Sequence, residues 1–547
     1  MNSSKTSAFS SYYLRGILFL LASLSLIAAC RVTCYAEDAG PALAVDVSAD
    51  HHVISPYIYG MAYPDAALAK EINLPINRWG GDATTRYNWK VDGTNAGDDW
   101  FFMAQGSGKP GAGPDAMIAA SKEWNGRVLL TVPIIDYISS VAGSDCTYPV
   151  SLFGAQQKTN PYVHPIVNGK QTDEGNGRTP DGKPLPALTK EQILRTHIRN
   201  TPQFQGEWVQ HLFDKFGATA QGGVGVYELD NEPGGWNNTH RDVHPAGTGH
   251  DELLSRSLAY AAAIKAADPS ALVLGPGDFV MNYQSDGVPG DGKNEHDGLG
   301  QGNYYLQQMH QYEVEHGTRL LDYFDEHYYP TGQDGQTEAT TLEATRSLWD
   351  PTYKEQNWIG KWRGPINLIP SLHQWVDQFY PGTKIGISEY AWGDNKSVVG
   401  TLAQADVLGI FARERLDLAC CFGPPKATDA KANAFRMFLN YDGKGGKFGD
   451  IYVQSKSEDQ GKLAVYGAIR STDKTLTLLI INKATVALTS HLALSNFKPA
   501  ATAAVYQYSA ADANAIHAQP DQAIAADGFS ASFPARSLTL IVIPVAK

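Results

Sequence analysis

Basic residues are in deficit in this chain: 44 Lys and Arg stand against 57 Asp and Glu, a net charge of −13. Lys5, Arg15 and Arg31 lie in the first 36 residues, which hold no acid, so the remainder is more acidic still. An acidic surface repels polyanions, so neither nucleic acid nor an anionic membrane is an expected partner. Cysteine is scarce, with five in 547 residues. Cys30 and Cys34 fall in the N-terminal segment, and Cys146, Cys420 and Cys421 do not make a disulfide framework. There is no C-x-x-C or H-E-x-x-H, and the apolar surroundings of Cys420 and Cys421 read as buried, inert thiols. Long apolar runs are missing too: past residue 29 no stretch approaches the roughly 18 residues of a membrane span. With 43% hydrophobic and 18% charged residues, the composition excludes a disordered chain.

What is present is length enough for two or three domains, and an abundance of turn and aromatic residues: 53 Gly, 30 Pro, 27 Tyr and 11 Trp. Residues 1–15 are polar with two bases, and Gly16–Ala29 is an apolar run with the length of a secretory signal core. Export is therefore expected. Cys34-Tyr35-Ala36 offers small residues for cleavage after Ala36, while Ile27-Ala28-Ala29-Cys30 offers the alternative of a lipid-anchored Cys30.

Short apolar runs recur at Tyr57–Ala62, Ile76–Trp79, Arg127–Val132, Gly225–Leu229, Leu272–Gly275, Tyr323–His327, Ile385–Ser388 and Leu418–Phe422. Amphipathic segments such as Gly206–Phe216, Asp251–Ala267, Leu368–Phe379 and Leu402–Arg415 lie between several of them. Eight strands alternating with helices predict an α/β fold, a (β/α)8 barrel of the TIM type. From about Phe448 the pattern turns to strict alternation (Lys462–Arg470, Thr475–Asn482, Ala487–Leu494, Ala503–Tyr508, Ser537–Pro544), which predicts an additional β-sandwich domain. Ala42–Ser48 has the same period and is expected to join that sandwich, with an isolated barrel edge as the alternative. The expected division is 1–36 signal, 37–56 N-terminal sandwich strand, 57–445 barrel and 446–547 sandwich. The Gly/Pro/Asn-rich stretches Ser151–Ala187 and Ser285–Gly302 are long enough to wall a cleft on the face where the strands end.

Two strands finish on an acid. Val224–Pro233 runs to Glu232 and is stopped by Pro233 and two glycines, and Lys384–Gly393 runs to Glu389 followed by aromatics. A pair of carboxylates at different strand tips, after the fourth and seventh strands, fits paired-acid glycoside hydrolysis: one acid protonates the leaving oxygen and the other attacks or activates water.

The residues around these acids resemble glycoside hydrolase family 44. The likeness runs from about Ile54 to the end and rests on Asn77-Arg78-Trp79-Gly80-Gly81 with Thr84–Trp89, on Leu229–Pro233 continuing to Trp236, Thr239-His240 and His244-Pro245, on Asp325–Pro330, on Ser388-Glu389-Tyr390, and on Asn440–Lys444. The resemblance implies retaining endo-β-1,4-glucanase or xyloglucanase activity, with Glu232 as acid/base and Glu389 as nucleophile. The two carboxyl groups are then expected about 5–5.5 Å apart. A nucleophile has to stay ionised, and Arg78 with Tyr329 or Tyr328 are the expected donors to Glu389. Asn231 is expected on the sugar 2-hydroxyl. Trp79, Trp236 and Trp392 are candidates to stack on sugar rings, with core packing as the alternative, whereas Trp89 reads as structural. His327 binds the sugar or orients a carboxylate, unless it is a neutral wall histidine.

Two positions depart from the family pattern. Phe422 stands at the end of the eighth strand, where a tryptophan floor of the cleaved subsite is expected, and Leu439 stands where a longer basic residue is expected. The other readings are a carbohydrate-binding protein on an inactive barrel and a retaining xylanase or mannanase on the same scaffold. The expected partner is a β-1,4-glucan polysaccharide, acted on by a monomer. No cofactor is required for the chemistry. A structural calcium ion in the acid-rich loops Asp286–Asp297 or Asp92–Asp99 is the alternative to plain solvated loops, although neither has EF-hand spacing.

Overall fold

The computed structural model describes residues 38–141, 143, 145–162, 173–279, 295–330 and 337–546. The N-terminal apolar segment with Cys30 and Cys34 and most of Asp286–Asp297 lie outside the described residues. Eight parallel strands close a barrel in chain order: Gly60–Ala62, Ile76–Trp79, Arg127–Val132, Val226–Leu229, Val273–Phe279, Tyr323–Tyr328, Lys384–Tyr390 and Leu418–Cys421, the last pairing with the first. These are the eight runs read from the sequence, except that the fifth extends to Phe279 and the first is shortened by a 3-10 turn at Pro56–Tyr59. The strands are buried on both faces, which is why they read as short apolar runs instead of alternating ones.

The helices begin where the sequence offers caps. Thr201 accepts from the Phe204 amide at 3.1 Å and Pro202 takes the first turn of Pro202–Phe216. Ser397 caps Val398–Arg413 in the same way, through the Gly400 amide at 2.9 Å. This last helix is buried along almost its whole length, because it lies between the barrel and the second domain.

That second domain is built on strands Ile451–Ser457, Leu463–Ile469, Leu476–Asn482, Ser537–Ile543, Thr502–Ser509 and Asp512–Ala523, in that spatial order. Leu43–Asp46 pairs antiparallel with Ile451–Ser457 and parallel with Leu488–Ser495. Alternate residues serve two cores: Leu463 and Val465 point into the sandwich, while Ala464, Tyr466 and Ala468 pack on the barrel side. Gly409 makes this possible, since a Cβ there would stand 2.4 Å from the Tyr466 ring. Asp406, on the same helix, accepts from Lys483 Nζ at 2.6 Å, Thr345 Oγ1 at 2.6 Å and Tyr466 OH at 2.7 Å, an ion pair sealed in the junction.

The pattern did not reveal Ile451–Ser457, Asp512–Ala523 or Gly528–Phe533. Asp512–Ala523 (DANAIHAQPDQA) has the composition of a loop and is a strand only because it pairs with Thr502–Ser509 on one side. Among the described residues no helix is long and apolar enough to cross a membrane.

Candidate active site

The mouth of the barrel gathers side chains from the second, fourth, sixth and seventh strands. Arg78, from the second, has no exposed surface. It grips Glu228 with Nε at 3.1 Å and Nη2 at 2.9 Å, and reaches Glu389 Oε2 with Nη1 at 2.6 Å. Gly80 leaves the room for this, because a Cβ there would sit 2.4 Å from the guanidinium carbon. Beyond the fourth strand, Asp230 and Glu232 both have positive φ, 67° and 44°, which turns the chain sharply and lifts Glu232 to the surface of the mouth. Such backbone costs about 1–2 kcal/mol per residue. It is held by three amides on the Asp230 carboxylate (Ile134 at 2.5 Å, Ile135 at 3.1 Å and Asn231 at 2.8 Å) and by Glu232 N donating to Gly277 O at 2.8 Å.

His327 joins the two strand-end acids. Its Nδ1 lies 2.9 Å from Glu232 Oε1 and 3.8 Å from Glu389 Oε2, and the three donor atoms are all within 4.8 Å of one another. Its Nε2 meets Ser388 Oγ at 3.1 Å, and Ser388 in turn touches Glu228 at 2.9 Å and Asp325. Burial alone would deprotonate this ring. The Glu389 charge and hydrogen bonds to Glu228 and Glu232 outweigh burial and hold it well above the ordinary histidine range. These surroundings favour the protonated ring, and they place His327 against both carboxylates, the orienting position that was one reading of the sequence.

Burial likewise works against charge on Glu389, but His327, Arg78 and the Tyr329 hydroxyl hold it below the usual carboxylate range. Glu228 is buried too, and Arg78 with His327 brings it down to about 2. Asp325 goes the other way: burial and the neighbouring Glu228 push it up to about 7, against the pull of His327 and the Ser388 hydrogen bonds. Of the two tyrosines expected near Glu389, Tyr329 is the donor, at 2.5 Å, whereas Tyr328 is buried and bonds to Glu355.

Other expected contacts change. Trp236 is fully buried, its indole N–H donating to Asn231 O at 3.2 Å, and Trp392 is 1% exposed between Tyr328 and Tyr390. Neither presents a face to a sugar; both are core. Asn231 is 2% exposed, and its amide is engaged with Arg78, Gly81 and Asp82, which leaves one N–H free. Trp79 is half-buried beside Tyr63, and Phe422 is exposed with its ring against Gly81, so both border the opening. Trp89 is tied to Phe204 O and stacked on His211, and Leu439 is buried in the core.

Several mouth residues escaped the sequence reading. Trp358 and Trp362 are 50% and 59% exposed on the helix Trp358–Arg363, with rings 6.3 Å apart and nearly parallel. Asn357 ties the start of that helix to Pro330 O, beside Tyr329. Two tryptophans four apart in WIGKW, and so on one side of a helix, were the available signal. Asp82 also escaped. Burial first, then the Glu232 charge and Asp99, raise it well above the carboxylate range.

The donor sets Glu232/His327/Glu389 and Glu228/Asp325/His327 have the compactness of a metal site. Their carboxylate oxygens are already engaged by protein donors: Arg78 on Glu228 and Glu389, Tyr329 on Glu389, and Ser388 on Glu228 and Asp325. In Asp92–Asp99, Asp92 accepts from Tyr87, Ser107 and the Gly113 amide, and Asp98 is paired with Arg178 and Arg241.

Residues 93–332 match the family model for glycoside hydrolase family 44. The crystal structure of CelM2, a bifunctional glucanase-xylanase from a metagenome library, matches with a TM-score of 0.87 and 34% identity, over 93% of this chain and 100% of that one. The chain belongs to glycoside hydrolase family 44. Within the family, a Paenibacillus polymyxa xyloglucanase solved with xyloglucan matches with a TM-score of 0.78 and 27% identity, over 92% of this chain and 99% of that one. Endoglucanase A of Paenibacillus lautus is 29% identical over 484 residues, 80% of this chain, which spans 63% of that protein's length.

Proposed function

We propose that this family 44 chain is a secreted endo-β-1,4-glucan hydrolase working with net retention. The supporting observation is the pair of acid oxygens within 4.8 Å of each other, one of them on a carboxylate kept ionised by Arg78, His327 and Tyr329. Retaining enzymes hold their carboxyl groups about 5–5.5 Å apart, and inverting ones about 6.5–9.5 Å apart to admit a water. In the first step Glu389 attacks the anomeric carbon while Glu232 protonates the departing oxygen, leaving a glycosyl ester on Glu389. In the second, Glu232 takes a proton from water, which attacks the same carbon and restores the Glu389 carboxylate. His327 donates to one oxygen of Glu232 and so fixes which oxygen handles the proton.

Polymer binding fits the exposed rings of Phe422, Trp358 and Trp362, with the half-buried Trp79 beside them. Acceptance of xylan as well is the second reading. It is favoured by the likeness to a bifunctional glucanase-xylanase and by the smaller phenyl ring at Phe422. Export rests on the apolar segment Gly16–Ala29, with cleavage after Ala36 or lipidation at Cys30 as its two outcomes.

The test is reducing-end release from xyloglucan, carboxymethyl-cellulose, xylan and mannan, with the anomer of the first product read by NMR. Glucan cleavage giving the β-anomer is expected. Glu389→Ala should lose turnover on every substrate, and Glu232→Ala should keep activity on aryl glycosides with good leaving groups. An α-anomer, or equal losses in both variants on activated substrates, overturns the assignment.

A further inference from the structure

A channel follows the seam between the barrel and the sandwich. It consists of two cavities of about 640 and 680 Å3, each within the size range of small-molecule sites, which share Thr428 and Asn514 as walls. One end, at Lys396 and Lys426, opens beside the barrel mouth on the segments that follow the seventh and eighth strands. Asn395 binds these two segments together through Gly423 O at 3.0 Å and Pro424 O at 3.3 Å, just past Phe422. The other end lies between helix Ala432–Leu439 and the edge strand Asp512–Ala523. The gap persists because that strand presents small residues to it, Ala515 and Ala518 among them.

The chemistry of the walls selects a neutral, hydroxyl-rich ligand. The charged residues balance, with Lys396, Lys426 and Arg436 against Glu71, Asp429 and Asp442. Arg436 is already neutralised in a planar two-point pair with Glu71, at 2.6 and 2.8 Å, and is braced by Ala427 O at 2.8 Å. Tyr506, half-buried, leans on Tyr441 with ring centroids 4.8 Å apart, and the exposed amide of Asn514 stands in the wall common to both cavities. An aromatic face beside amides and a pre-paired guanidinium suits the apolar face and equatorial hydroxyls of a pyranose, whereas a polyanion would meet no net positive charge in a chain of −13.

We propose that this seam channel binds a stretch of β-1,4-glucan outside the catalytic cleft, a second polysaccharide site. The inference rests on the glucan-hydrolase reading for its choice of ligand. The test is native gel retardation of the full chain by soluble xyloglucan and hydroxyethyl-cellulose, both neutral, run beside kinetics on a short aryl cello-oligosaccharide that fills only the cleft. Tyr506→Ala and Asn514→Ala should weaken retardation by at least about fivefold, with kcat/KM on the short substrate unchanged. Ala518→Trp, on an exposed residue, plugs the channel without removing a core contact and should do the same. Retardation should persist in 0.5 M salt, about where exposed charge pairs are screened. Retardation equal to wild type in Ala518→Trp, or its loss in salt, overturns the seam site. A wild type that is retarded through the seam but releases no sugar from any glucan would instead overturn the hydrolase reading and leave the seam site standing.

Discussion

Arg78 divides one guanidinium between Glu228 and Glu389, and His327 bridges Glu389 and Glu232, so Arg78, His327, Glu228 and Glu389 settle each other's charge in a buried cluster. The consequence for pH can be signed. His327 is raised by folding, so its stabilisation is complete below about 6.5 and is lost as pH climbs through its folded value. Glu228 is depressed, so its share is present above about 4.5 and is lost as pH falls toward 2. His327→Gln removes a cation beside Glu389, which should move the acid limb of kcat/KM upward by about one pH unit and flatten the alkaline loss of stability. A pH-rate profile on a soluble glucan checks the first, and guanidinium unfolding at pH 6 and 9 checks the second. The strand-tip acids and Arg78 were legible because strands ending in Glu and an N-R-W-G-G turn are local patterns. The charge on His327 was not, because it is set by Glu228, Glu232 and Glu389, which arrive from two other strands. Nor was the burial of Trp236 and Trp392, since a tryptophan after a strand looks the same in sequence whether it faces the cleft or the core.

Among the elements, the helix Trp358–Arg363 is a short one that owes its place to anchors at its start. Asn357 caps Gly360 N at 3.2 Å and reaches back to Pro330, and Glu355 accepts from Tyr328 and Ser347. It carries two open indoles to the rim, one of them overlaid by Arg363 at 4.1 Å. Truncating both, Trp358→Ala with Trp362→Ala, should raise KM on polymeric glucan by about tenfold or more with kcat little changed, while a disaccharide aryl glycoside is turned over as before. Steady-state kinetics on the two substrate lengths would expose an indole pair that is merely decorative, because KM would then stay put on both. The barrel strands were readable from their apolar runs. Asp512–Ala523 was not: a strand with Pro520, five acids or amides and four alanines is made by its neighbour, and pairing energy of that kind leaves no trace in local composition.

For the whole molecule, the junction between barrel and sandwich is as buried as either core, and Asp406 with Lys483 lies inside it at 1% and 4% exposure. Lys483→Met keeps the volume and strands the carboxylate, which should cost about 3–5 kcal/mol. Asp406→Asn combined with Lys483→Met should recover part of that, and a double-mutant cycle in guanidinium reads the coupling directly. A fixed junction is also what gives the seam channel its defined walls, since these come from both domains.

The strand Leu43–Asp46 has a further consequence, for timing. Ala42 donates to Glu458, 416 residues later, and Leu43–Asp46 is completed only by Ile451–Ser457 and Leu488–Ser495. At ribosomal speeds of about 5–20 residues per second, the beginning of the chain waits roughly 20–80 s before its partners exist. The molecule is thus laced shut at the end of its own synthesis. Until then the strand edges that will hold Leu43–Asp46 are unfinished, which keeps the chain extensible for as long as it is still being made.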